Sequence, residues 1–143
     1  MANYVIYTDA SYDKEMCVAA CGFVLLRNRK IIRHNVYLVA NVKNSGDAEA
    51  YAAKIALDRL PKIKAIDFVA LNTDYIGLTK RNRGWAGVAL EFKQALQKIQ
   101  NTGATVNVRY VIGHAENKYN CMIDKSCVTE LRNYRKKILP KEK

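Results

Sequence analysis

This chain of 143 residues reads as a single α/β domain built on a mixed, five-stranded sheet, and three features lead there. Residues 4–8 form a short run of β-branched and aromatic side chains, apolar on both faces, as a central strand requires. Residues 17–27 and 31–39 are two further strand-like stretches joined by the polar Asn28-Arg29-Lys30, the pattern of an antiparallel hairpin. From residue 47 onward, helical periodicities alternate with short strands, giving the order β-β-β-α-β-α-β-α and a sheet with helices over its faces.

Each later segment follows from its periodicity and its ends. Over 47–60, Ala52, Ala53, Ala56 and Leu60 share one helical face, Ser45 or Asp47 can cap the start, and Pro61 follows the end. Residues 68–71 are a compact apolar run of strand type that leads into Asn72-Thr73-Asp74. A polar stretch, 79–84, precedes a helix with Trp85, Val88, Ala89, Phe92, Leu96 and Ile99 at helical spacing, stopped by Asn101-Thr102-Gly103. Residues 106–112 alternate apolar side chains with Asn107 and Arg109, as a half-exposed edge strand does. The last helix, about 121–137, aligns Asp124, Cys127, Val128, Leu131, Tyr134 and Ile138, with Asp124 in its first turn. Residues from about 138 to 143 form a basic tail.

Composition narrows the class. Half of the residues (50%) are hydrophobic and 26% charged, which suits a packed core and excludes a disordered chain. No stretch approaches the roughly 20 apolar residues of a membrane span, and no basic preamble precedes the first strand, so a cytoplasmic, monomeric protein without a membrane partner is expected. Cys17, Cys21, Cys121 and Cys127 lack the spacing of a zinc or redox motif and are expected as reduced, buried packing residues. Lys and Arg outnumber Asp and Glu by 24 to 13, a net charge of +11 that favours polyanionic partners.

Within this basic chain, Asp9, Glu49, Asp74 and Asp124 each fall where a strand ends or a helix begins. Ligands of α/β sheets collect at the carboxyl ends of strands, so these four are expected to converge there. Two carboxylates about 4 Å apart repel by about 4 kcal/mol at an effective dielectric of about 20, and divalent cations relieve that repulsion. Oxygen-only ligands select hard ions, Mg²⁺ or Mn²⁺, and two such ions suit in-line phosphodiester hydrolysis. Taken singly, Glu49 and Asp124 also fit helix-dipole partners, and Asp9 and Asp74 fit turn caps.

The stretches Tyr7-Thr8-Asp9-Ala10-Ser11, Ala48-Glu49, Asn72-Thr73-Asp74 and Val111-Ile112-Gly113-His114-Ala115, the last leading through Asn120 to Asp124, together resemble the ribonuclease H type 1 family. The resemblance spans nearly the whole chain, and its most specific part is Gly-His-Ala with His114 ten residues before Asp124. It implies a ribonuclease H-like fold and a metal-dependent endonuclease that cuts the RNA strand of RNA/DNA hybrids, leaving 5′-phosphate and 3′-hydroxyl ends. Asp9 would bridge two Mg²⁺ ions, with Mn²⁺ as a substitute; Glu49 and Asp74 would complete a shell, and Asp124 would hold the ion that positions the attacking water. His114 would assist proton transfer or product release. Substrate contacts are implied at Ser11, Asn44, Ser45, Lys80, Arg81, Trp85, Lys118 and Asn120, although for Trp85 a place as the first core residue of the helix is favoured.

The chain departs from the family at Ala10-Ser11-Tyr12, at Ser45-Gly46-Asp47, where asparagines commonly face the minor groove, and at Ile76. Two alternatives follow: a nuclease of the same superfamily acting on branched or other DNA, and a catalytically silent nucleic-acid-binding module.

Overall fold

The computed structural model describes residues 1–79, 86–111 and 117–138. Its strands are β1 (Asn3–Asp13), β2 (Val18–Arg27), β3 (Lys30–Val39), β4 (Phe68–Thr73) and β5 (Thr105–Tyr110). Its helices are α1 (Ser45–Asp58), α2 (Gly87–Gln100) and α3 (Lys118–Ile138), with one 3-10 turn at Ile76–Leu78. The five strands form one sheet in the order β3-β2-β1-β4-β5. β1, β2 and β3 are antiparallel neighbours, and β4 and β5 join as parallel strands. The expected α/β architecture with a mixed sheet and three helices is therefore present.

The doubly apolar β1 lies in the centre because both of its faces are covered. On one side Tyr4, Ile6, Phe23, Leu25, Val69 and Leu71 pack with Ala53 and Ala56 of α1 and with Val88 and Phe92 of α2. On the other side Val18, Ala20, Val24 and Leu26 pack with Ile123, Cys127 and Leu131 of α3. Burial of this kind contributes about 25 cal/mol per Å² of apolar surface removed from water and decides which helix face turns inward.

The hairpin between β2 and β3 closes through Asn28 and Arg29, with φ of 49° and 73°. Two left-handed residues make the turn whose twist matches the flanking strands. Asn28 holds it in place, since its Oδ1 accepts the Asn3 N–H at 2.9 Å. At the opposite edge, β5 has half-exposed and exposed side chains throughout, in keeping with its alternating sequence. Asp67 ties the chain entering β4 to the start of β1 by accepting the N–H groups of Ala2 (2.8 Å) and Lys64 (2.9 Å). Those two bonds, the Lys64 one first, hold its carboxyl below the usual carboxylate range.

Several boundaries differ from the sequence expectation, each for a reason outside the local segment. β1 runs on to Asp13: its parallel ladder with β4 stops at Tyr7↔Asn72, but the antiparallel ladder with β2 continues to Asp13↔Val18. α1 is capped by Asn44, whose Oδ1 accepts the Asp47 N–H at 2.8 Å, rather than by Ser45 or Asp47. α3 begins at Lys118, three residues earlier than expected, because Asn117 Oδ1 caps the N–H groups of Tyr119 and Asn120 at 2.9 and 3.1 Å. Its inward stripe is Asn120, Ile123, Cys127 and Leu131, while Val128 and Ile138 are exposed.

Candidate metal centre

Asp9 stands two residues past the last parallel pair of β1, where the strand has lost its β4 neighbour but keeps β2. Asp74 follows the last residue of β4. The two carboxylates thus leave adjacent parallel strands at the same sheet edge. Glu49 arrives from α1, and its Oε1 accepts the Ala10 N–H at 3.1 Å, the same N–H that Asp9 Oδ1 accepts at 2.9 Å. One backbone donor therefore serves two carboxylates.

Gly46, in the first turn of α1, helps to set this approach. A Cβ there would lie 2.7 Å from the Tyr75 hydroxyl, so the absent side chain lets the turn close on the residue that follows Asp74. Ligand oxygens of Asp9, Glu49 and Asp74 all lie within 4.8 Å of one another. An ionised pair at that separation repels by about 3.5 kcal/mol at an effective dielectric of about 20.

Electrostatics concentrate on Glu49. Burial first, then the charges of Asp74 and Asp9, push its carboxyl from the ordinary 4.5 up to about 10. Its Oε2 is buried with no hydrogen-bond partner. An orphaned buried carboxylate oxygen facing two other carboxylates is satisfied by a proton or by a cation, and the all-oxygen donor set suits Mg²⁺ or Mn²⁺. The residues present fit such an ion.

Asp124 is not in the group of three. It lies half-buried in the second turn of α3, on the helix that packs behind Asp9, so the expected first-turn placement and its helix-dipole partnership do not hold. One turn further on, the Cys127 thiol is 3.8 Å from the Asp9 carbonyl oxygen and donates to it. That approach depends on Gly22, the β2 residue paired with Asp9: a Cβ there would come within 2.7 Å of Ile123 Cγ2 and 2.8 Å of Cys127 Sγ. Neither Gly22 nor Cys127 was marked as functional by the sequence; the signal was present in the spacing of Cys127 from Asp124.

All four cysteines are free; Cys21 and Cys127 are buried as expected, whereas Cys17 is exposed and Cys121 half-buried. Burial, reinforced by Glu49, pushes the Cys21 thiol up to about 12, and burial first and Asp9 next also raise Cys127. Both stay protonated beneath the acidic cluster.

The expected substrate-contact residues divide. Ser11 is half-buried on β1, on the same strand face as Asp9. Asn44 and Ser45 are exposed at the start of α1, but the Asn44 Oδ1 is engaged as the helix cap. Lys118 is exposed, its Nζ 5.0 Å from the centre of the Tyr119 ring. Asn120 has no exposure at all, and neither of its amide atoms has a hydrogen-bond partner, so it is a buried support of α3 rather than a surface contact. Lys80, Arg81, Trp85 and His114 lie outside the described residues.

No described helix is long and apolar enough to cross a membrane. A scan against protein-family models and a search of curated proteins both find no match for this chain.

Proposed function

We propose that this protein is a Mg²⁺-dependent endonuclease of the ribonuclease H type, cutting the RNA strand of RNA/DNA hybrids to leave 5′-phosphate and 3′-hydroxyl ends. The observation that carries this reading is the convergence of Asp9, Glu49 and Asp74 at the carboxyl edge of the parallel strands, with ligand oxygens within 4.8 Å and Glu49 Oε2 orphaned. The sheet order and the helix placement accord with a ribonuclease H-like fold.

In this reading Asp9, Glu49 and Asp74 would hold one cation, and Asp9 with Asp124 would hold a second. Bound Mg²⁺ or Mn²⁺ would supply an activated water and charge to stabilise the leaving oxygen. The chain's own part is to fix the carboxylates: the Ala10 N–H orients Asp9 and Glu49 together, and the two raised thiols beneath keep additional charge out of the floor. His114, from the sequence motif, would assist proton transfer or product release.

The test is a labelled hybrid incubated with Mg²⁺ or Mn²⁺. Cleavage is expected from the parent protein and below about one hundredth of that rate from Asp9→Asn and Asp74→Asn, since even outer groups around a metal cost about 10- to 100-fold. No cleavage with either ion overturns the proposal. A second reading, a nuclease for branched or other DNA, draws on Asn44: its side-chain oxygen caps α1 and is committed away from a minor groove. Hybrid, duplex DNA, duplex RNA and branched DNA offered in parallel separate the two.

A further inference from the structure

The stretch from Met16 to Gly46 contains no Asp or Glu, yet it carries Arg27, Arg29, Lys30, Arg33 and Lys43. It folds into the β2–β3 hairpin, whose turn places Arg27, Arg29, Lys30 and Arg33 together and exposed at one tip. Arg59, exposed at the end of α1, reaches the same hairpin further along β3: its guanidinium lies 5.2 Å from the Tyr37 ring centre, and Arg33 also acts on the Tyr37 hydroxyl. Arg27 lies 5.9 Å from the centre of the Tyr4 ring in the same way. Among the described residues, none of these five cations is ion-paired.

Three physical points distinguish this tip from an ordinary solvated surface. Like charges gathered at one tip repel, and among the described residues no carboxylate pairs with them. Arg29 adopts a φ of 73°, where glycine is strongly favoured and any other L residue is strained by about 1 kcal/mol. Two of the guanidinium groups, those of Arg27 and Arg59, lie against tyrosine rings, an arrangement that limits their rotation. The Tyr37 hydroxyl records the local field: the Asn35 amide donates to it at 3.0 Å, and that bond, with Arg59 and Arg33 nearby, holds its pKa below the usual phenol value.

We propose that the tip of the β2–β3 hairpin, with Arg59, is a second nucleic-acid contact, separate from the acidic cluster, that holds the phosphate backbone without reading sequence. Its place in the fold fits an auxiliary contact. Tyr4 pairs with Arg27 and Asp9 with Gly22, so the tip is five strand residues, about 17 Å, from the acidic edge. That is about five nucleotides of one strand at about 3.4 Å each. The chemistry favours nucleic acid over an anionic membrane: the large apolar side chains exposed at the tip are Ile31 and Ile32, on a strand and not on an amphipathic helix that could lie in lipid.

The experiment compares two charge-reversed proteins. One carries Arg29→Glu, Lys30→Glu and Arg33→Glu; the other carries Arg132→Glu, Lys136→Glu and Lys137→Glu, exposed positions in the last turns of α3. Each set changes net charge equally. Binding of a labelled duplex DNA and of a labelled hybrid is measured in chelator, so no cleavage occurs and the outcome is independent of the metal chemistry. Affinity at about 50 mM salt is expected to fall at least about tenfold in the hairpin variant, with the slope of log K against log salt shallower by about 2 to 3 units, since each phosphate contact contributes about 0.9. The α3 variant is expected to change less than about threefold. The milder Arg29→Gln, Lys30→Gln, Arg33→Gln protein should show a smaller loss in the same direction. Equal losses in both reversed proteins, no loss in the hairpin variants, or a loss towards phosphatidylserine vesicles without one towards nucleic acid would each overturn the proposal.

Discussion

Glu49 is the side chain on which the acidic cluster turns, because folding raises its affinity for protons. Its carboxyl sits far above the ordinary 4.5, through burial first and then Asp74 and Asp9. Between the unfolded and folded values the native state binds more protons than the unfolded chain, so stability falls as pH rises. The contribution is fully present below about 4.5 and is lost as pH climbs through the raised folded value. Without divalent ions, the midpoint of thermal unfolding should therefore decline from about pH 5 to about pH 9, and Glu49→Gln should flatten that decline while removing cleavage. A Glu49→Gln protein that keeps the parent's pH slope would show that the strain resides elsewhere.

One helix contact explains both what the amino-acid pattern reveals about this fold and what it hides. The strand and helix segments are legible because apolar residues recur with periods near 2 and 3.6, and that pattern alone locates all eight long segments of the sheet and its helices. Segment ends are less legible, because they are set at a distance: β1 continues to Asp13 only because β2 pairs with it, and α3 starts at Lys118 because Asn117 caps it. Hydrophobicity likewise places Val128 inward and Asn120 outward, and the packed helix does the reverse. The carboxylates could be located at the ends of segments, but the shared Ala10 N–H and the omission of Asp124 from the group of three depend on how closely α1 and α3 approach the sheet. For α3, that distance rests on Gly22. Replacing it with alanine puts a Cβ within 2.7 Å of Ile123 and 2.8 Å of Cys127, so Gly22→Ala should cost about 1–3 kcal/mol in denaturant unfolding and displace α3 from Asp9. A substitution that left both stability and cleavage unchanged would refute this account of how the helix is seated.

At the scale of the whole molecule, three carboxylates gather at one sheet edge within a chain of net charge +11. A net positive charge attracts polyanions and repels free cations, so a divalent ion at this edge would depend on the local carboxylates and not on the general field. That division separates two roles. In the proposed reading Asp9, Glu49 and Asp74 would hold one ion, and Asp124, on the helix packed against the other face of the sheet, would bear on a second. The parent protein in Mn²⁺ at about 100 times the dissociation constant should gain about 2.7 kcal/mol of stability by mass action. Asp124→Asn should keep most of that gain while losing hybrid cleavage, and Asp74→Asn should lose both. Thermal unfolding with and without Mn²⁺, run beside the cleavage assay, decides the matter: if Asp124→Asn also abolishes the thermal gain, all four carboxylates serve a single ion, and the assignment of Asp124 to a second one fails.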